Sequence, residues 1–146
     1  MFRGSASTRI DDKGRLKVPT VFRRLLEERF GPDVFLTSVA GDSALIYPLR
    51  VWEQFEERLA ALPATDRVKR RYLERVSYFG QQGRLDSQGR IKVPALLRES
   101  AAMAGEVVVS GRLDHLEVWN HERLQARFEK EPFLEEEFQY LSERGV

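Results

Sequence analysis

Two short segments of the chain carry the same functional groups at the same spacing. Ile10-Asp11-Asp12-Lys13-Gly14-Arg15-Leu16-Lys17-Val18-Pro19 aligns with Leu85-Asp86-Ser87-Gln88-Gly89-Arg90-Ile91-Lys92-Val93-Pro94, at a constant offset of 75 residues. In each, an aspartate precedes an arginine by four positions and a lysine follows two positions later. A guanidinium presents a planar fork of donors that matches phosphate oxygens, a carboxylate, or O6 and N7 of guanine. Two chemistries are therefore open at Arg15 and Arg90. Each arginine can contact a nucleic acid, or each can close on its own aspartate, Asp11 or Asp86, and lock the repeat. Both hold together if the aspartate orients an arginine whose far edge stays exposed.

Other cations accompany the motifs. Arg3 and Arg9 share one face of the first strand, opposite Ala6, Thr8 and Ile10, and Lys13, Arg15 and Lys17 follow around a turn. The second copy is sparser, with Arg84, Arg90 and Lys92. Two-stranded ribbons enter the DNA major groove as helices do, so all eight side chains are candidate phosphate or base contacts. Lys17 and Lys92 read equally well as a solvated strand face, and Arg67, Lys69, Arg70 and Arg71 read best as a solvated helix face. Catalysis has no comparable pattern. The only histidines are His115 and His121, cysteine is absent, and the carboxylates lie in a turn or in the run Glu135-Glu136-Glu137. Neither arrangement is a dedicated acid/base pair. Gly80, Gly83 and Gly89 lack the lysine and the strand–loop–helix setting of a phosphate-cradling loop. No enzyme activity, metal, cofactor or small-molecule substrate is expected.

The elements that position these groups follow from periodicity. Thr8 and Ile10, then Leu16 and Val18, alternate with polar residues and predict strands with one buried face. Between them, Gly14 and Gly89 suit a turn that needs positive φ, and Asp11 and Asp86 can accept bonds from turn N–H groups. Pro19 and Pro94 close the strands and suit helix starts. Phe22, Leu25, Leu26 and Phe30 predict a helix face, with a shorter counterpart around Leu96 and Leu97. Strands follow at 34–37 and 44–47, matched by 107–110 and 116–119. Helices follow with Trp52, Phe55, Leu59 and Leu62 in one half, and Leu124 and Phe128 in the other, the latter capped by Asn120. Val68, Tyr72 and Val76 predict a further helix, as do Leu134, Phe138 and Leu141 after Pro132. Trp52 and Trp119 read as core or interface residues. The order β-β-α-β-β-α-α thus occurs twice, over residues 1–73 and 74–146. A half of that size, built of short strands, buries little surface alone. One interlocked, β-rich α+β core with peripheral helices solves both the burial and the exposed-edge problems.

Bulk properties set the class. The chain has 146 residues, 42% hydrophobic and 32% charged, a composition of folded rather than disordered protein. Its net charge of +1 conceals a division. Residues 1–73 hold 14 Lys or Arg against 10 Asp or Glu, and residues 74–146 hold 10 against 13. Such separation steers a polyanion, or a second subunit, toward one surface. No apolar run approaches a membrane span, and the N-terminus lacks the apolar core of a signal peptide, so a cytoplasmic location is expected. The apolar stripe Leu134-Phe138-Leu141 must pack on its own chain or on a neighbour.

The opening Met1-Phe2-Arg3-Gly4, the two Asp-x-x-x-Arg motifs and the duplicated layout resemble the MraZ family of bacterial transcriptional regulators, across essentially the whole chain. The resemblance implies two halves similar to AbrB and SpoVT domains, combined within one chain as a pseudo-dimeric swapped-hairpin β-barrel. It also implies a ring-shaped homo-oligomer that binds direct repeats of double-stranded DNA in its own division and cell-wall promoter, usually repressing it. The expected location is then the cytoplasm, in association with the nucleoid. The family's DNA-facing arginine carries over onto Arg15 and Arg90, with Asp11 and Asp86 in support. Asp12 and Lys13 become Ser87 and Gln88 in the second copy, so unequal contributions are expected. The alternatives are an oligomeric scaffold using its basic loops for subunit contacts, or an antitoxin-like regulator, for which the tail is short.

Overall fold

The computed structural model describes residues 1–146, and all fourteen expected elements are present. The first half contains β1 (Ser5–Ile10), β2 (Arg15–Lys17), α1 (Thr20–Arg29), β3 (Asp33–Thr37), β4 (Ala44–Pro48), α2 (Leu49–Ala60) and α3 (Arg67–Tyr78). The second contains β5 (Gln81–Arg84), β6 (Arg90–Lys92), α4 (Ala95–Ser100), β7 (Gly105–Gly111), β8 (Leu116–Asn120), α5 (His121–Lys130) and α6 (Glu135–Ser142). Helix α3 runs through the 73/74 division, so the halves meet inside a helix rather than in a linker. Pro19 and Pro94 occupy the N-cap positions of α1 and α4, and their carbonyls accept the first helical bonds from Arg23 and Arg98. The Asn120 side chain caps α5 by accepting from the Arg123 N–H at 3.0 Å.

The eight strands form one antiparallel sheet in the order β5-β3-β4-β8-β7-β1-β2-β6. Hairpins β1–β2, β3–β4 and β7–β8 stay within a half, whereas ladders β1–β7, β2–β6, β3–β5 and β4–β8 cross between halves. Each half therefore donates its first hairpin to the other. The end strands β5 and β6 are consecutive in the chain and joined by Asp86 N–H donating to the Arg90 carbonyl at 2.9 Å, so the sheet nearly closes into a barrel. Closure protects edges that would otherwise pair with other chains.

The inward faces make one core. Its 20 buried hydrophobics include Ile10, Leu16, Val18, Phe22 and Leu26 from the first half and Leu85, Ile91, Val93, Leu97 and Ala101 from the second. The main cluster draws on both halves, and a small second one joins Val108, Trp119 and Leu124. Parity along β1 is as the alternation predicts: Ile10 is buried and Arg9 exposed. Helical periodicity is less faithful. Val68, Leu96 and Phe128 occupy predicted apolar faces yet stand exposed, since α3, α4 and α5 each bury a single residue, Val76, Leu97 and Leu124. Phe22, Leu26, Trp52, Val76, Leu97 and Leu124 are the helical residues that reach the protein interior. No helix is long and apolar enough to cross a membrane.

Candidate nucleic-acid interface

The two motif turns have the same construction. Gly14 N–H donates to the Asp11 carbonyl at 3.0 Å, and Gly89 N–H to the Asp86 carbonyl at 3.0 Å. Both glycines sit at positive φ, +79° and +76°, where a side chain is strained. Inside the first turn, Asp11 Oδ1 accepts from the backbone N–H of Lys13 at 3.0 Å and of Arg15 at 2.9 Å. Its Oδ2 accepts from Arg15 Nε at 2.8 Å. Asp86 does the same with Gln88 N–H, Arg90 N–H and Arg90 Nε, at 2.8, 2.9 and 2.9 Å. The backbone N–H of the arginine, then its side chain and the next turn N–H, hold each aspartate below the ordinary carboxylate range against partial desolvation.

This geometry realises the aspartate lock, one of the two chemistries left open for Arg15 and Arg90, and is compatible with the other. Each guanidinium is locked through Nε, and the aspartate bond leaves the terminal nitrogens unspent. The arginines keep 30% and 26% of their side-chain surface exposed, so the fork is oriented without being sealed in.

The ladder between β2 and β6 then brings the two motifs side by side. Its register pairs Arg15 with Lys92, Leu16 with Ile91 and Lys17 with Arg90. Leu16 and Ile91 are wholly buried, so the alternation puts all four cations on the outer face of one two-stranded ribbon. Like charges directly opposite each other are destabilising. A ribbon with two such pairs is poised for an anion. Lys13 lies at one turn beside this face, and its carbonyl accepts from Lys92 Nζ.

The remaining sequence candidates are placed differently. Arg84 pairs with Asp33 across the β5–β3 ladder, Nη1 to Oδ1 3.4 Å, and Arg9 stands opposite Glu106 in the β1–β7 register. These equivalent positions therefore face acidic neighbours from the other half. Arg3 lies beyond the far end of β1, where Phe2 bridges to Leu113, away from the ribbon.

Two arginines emerge that the charge pattern of the strands did not single out. Arg23 on α1 lies against the second turn, with Nη2 donating to the Ser87 carbonyl at 3.0 Å. Arg98 on α4 lies against the first turn, with Nε donating to the Val93 carbonyl at 3.0 Å. A Cβ built on Gly14 would fall 2.5 Å from Arg98 Cζ, and one on Gly89 would fall 2.7 Å from Arg23 Cδ. Reciprocal backbone bonds seal the same junctions, Val18 N–H to the Gly89 carbonyl and Val93 N–H to the Gly14 carbonyl, both at 2.9 Å. The available signal was the repeat itself, which places Phe22-Arg23 over Leu97-Arg98.

A duplicated, swapped-hairpin barrel with a cationic ribbon on its pseudo-dyad defines the class. The family model described as "MraZ protein, putative antitoxin-like" matches residues 1–75 and 80–144, and the chain belongs to that family. A protein named transcriptional regulator MraZ from Acidobacterium capsulatum is 46% identical over 146 residues, covering the whole of both chains. One of the same name from Koribacter versatilis is also 46% identical over full length. A third, from Mannheimia succiniciproducens, is 33% identical over 90% of this chain and 87% of its own.

The aspartate locks make a pH prediction. A carboxyl held low in the folded state contributes stability above its unfolded pKa, and that stability is lost as pH falls through the depressed value. Stability should therefore hold at neutral pH and decline below the ordinary carboxylate range. Asp11→Asn with Asp86→Asn should lower stability at neutral pH and flatten that acid decline. Urea titrations across pH check this; a parallel acid decline in the double variant would assign it to other groups.

Proposed function

We propose that the chain is a sequence-specific DNA-binding transcriptional regulator that represses its own division and cell-wall operon by occupying direct repeats in the promoter. The observation that carries this is the β2–β6 ribbon, which holds Arg15, Lys17, Arg90 and Lys92 on one outward face. The names of the relatives, transcriptional regulators, support the same reading. Phosphate contacts from the lysines fix the ribbon on the duplex, and the aspartate-oriented arginines present forks suited to guanine edges. Binding of this kind falls steeply with salt.

Repression acts by occupancy, with subunits of a ring-shaped homo-oligomer engaging successive repeats. Linked subunits convert weak single contacts into useful affinity when subunit spacing matches repeat spacing. Support for self-association comes from α6. It buries no residue, and Phe133, Leu134, Phe138, Tyr140 and Leu141 all stand exposed around it. A patch of this kind marks an interaction surface. Its first turn is Glu135-Glu136-Glu137, complementary to the basic first half of a second copy. Association in the cytoplasm with the nucleoid follows from this function.

Arg15→Ala should weaken binding to a duplex from its own promoter by about 1–3 kcal/mol, and more than Arg90→Ala does. The first turn carries Lys13 where the second has Gln88. Fluorescence titration of both folded variants under excess competitor DNA checks this; equal losses overturn the ranking. Binding that vanishes under competitor favours the scaffold reading instead. Truncation before Pro132 should reduce the oligomer measured by native mass spectrometry, and an unchanged mass removes α6 from the assembly.

A further inference from the structure

We propose that Arg98, carried by α4 of the second half, completes the first half's DNA-contacting turn as a direct phosphate contact. The inference rests on the DNA-binding reading above. It means that the binding unit is composite, with the turn from one half and a cation from the other.

The argument begins with the comparison of Arg98 and Arg23, which occupy equivalent places in the repeat. Each guanidinium lies against the glycine of the opposite half's turn, close enough that a Cβ there would collide with it. Their charges are handled differently. Arg23 Nε donates to Glu27 Oε1 at 2.9 Å and its Nη2 donates to the Ser87 carbonyl, so its charge is matched by a carboxylate and two of its nitrogens are engaged. The repeat puts Ala102 where Glu27 would recur, and Arg98 has no carboxylate within ion-pair distance. Its Nε is held by the Val93 carbonyl, which orients the group and leaves the terminal nitrogens without a hydrogen bond. A half-buried, oriented and unpaired guanidinium thus lies against Gly14, the residue that separates Lys13 from Arg15 in the turn. Two cations without a carboxylate partner, Lys13 and Arg98, on a turn that also carries the Asp11-oriented fork of Arg15 suit a phosphate rather than a flat base edge.

Arg23 by contrast is a positioning residue, fixing the second turn through the Ser87 carbonyl. The difference sharpens the inequality between the halves. The first turn gains a cation from its neighbour, and the second gains a neutralised brace.

The test compares the salt dependence of binding to a duplex from the chain's own promoter. Wild type, Arg98→Gln, Arg98→Lys and Arg23→Gln are used as full-length protein. A direct phosphate contact contributes about 0.9 to the slope of log K against log salt for each phosphate neutralised. Arg98→Gln should therefore show a slope shallower by about that amount per engaged turn, Arg98→Lys should restore it, and Arg23→Gln should leave it at the wild-type value. A role confined to holding the turn would lower affinity without moving the slope. An unchanged slope in Arg98→Gln, or an equal fall in Arg23→Gln, overturns the proposal. Should Arg98→Gln not fold, phenylglyoxal labelling of the wild type decides. Bound duplex should protect Arg98 and leave Arg23 unchanged; no protection overturns it. Failure of the wild type to bind DNA in a salt-dependent way instead removes the underlying reading, so the two failures are distinct.

Discussion

The short ladder between β2 and β6 constrains the rest of the molecule. Each strand has three residues, and the middle ones, Leu16 and Ile91, are fully buried opposite each other. Their burial allows one register, since a slip by a single residue would drive cations into the core. That register sets Arg15 against Lys92 and Lys17 against Arg90. Repulsion between these pairs is held in check by the two aspartates, which sit behind the arginines and bind the turns from inside. The carboxylates thus do two things at once. They accept the turn's backbone N–H groups, and they set a negative charge beside each arginine of the ribbon.

The interlocking of the halves makes this site possible. The two strands of the ribbon come from different halves, and each turn lies against the other half's helix arginine and is joined to that half by a reciprocal backbone bond. The fold is close to symmetric while the chemistry is not. Lys13 faces Gln88 across the repeat, and Glu27 corresponds to Ala102. The last helices diverge as well. Helix α3 is fastened by buried Val76, whose carbonyl accepts from Thr37 Oγ1 at 2.8 Å, whereas α6 is attached by no buried side chain. Duplication supplied the frame, and small departures from it make the two halves chemically unlike.

Much of this was legible before any coordinates. The repeated order of elements, the buried alternation at Ile10, Leu16, Ile91 and Val93, the Asn120 cap and the Asp-x-x-x-Arg turns all follow from local rules. Strand partnership does not. Periodicity says which face of β1 is buried, but nothing local says that β1 pairs with β7 about a hundred residues away. Arg9 and Arg84 therefore read as free cations when the register sets them against Glu106 and Asp33. Arg23 and Arg98 were hidden for a related reason, since their partners are carbonyls and glycines of the opposite half. Val68, Leu96 and Phe128 show the opposite error, in which spacing fits an apolar face but each helix buries only one residue of it.

The central claim is that DNA lies across the β2–β6 ribbon. Photo-crosslinking of the wild-type chain to a duplex from its own promoter, mapped by mass spectrometry, tests this most directly. The account predicts crosslinks within residues 13–17 and 88–92, densest in the first segment. Crosslinks confined to the exposed basic helix at Arg67–Arg71, with the ribbon unmarked in a bound complex, would contradict it.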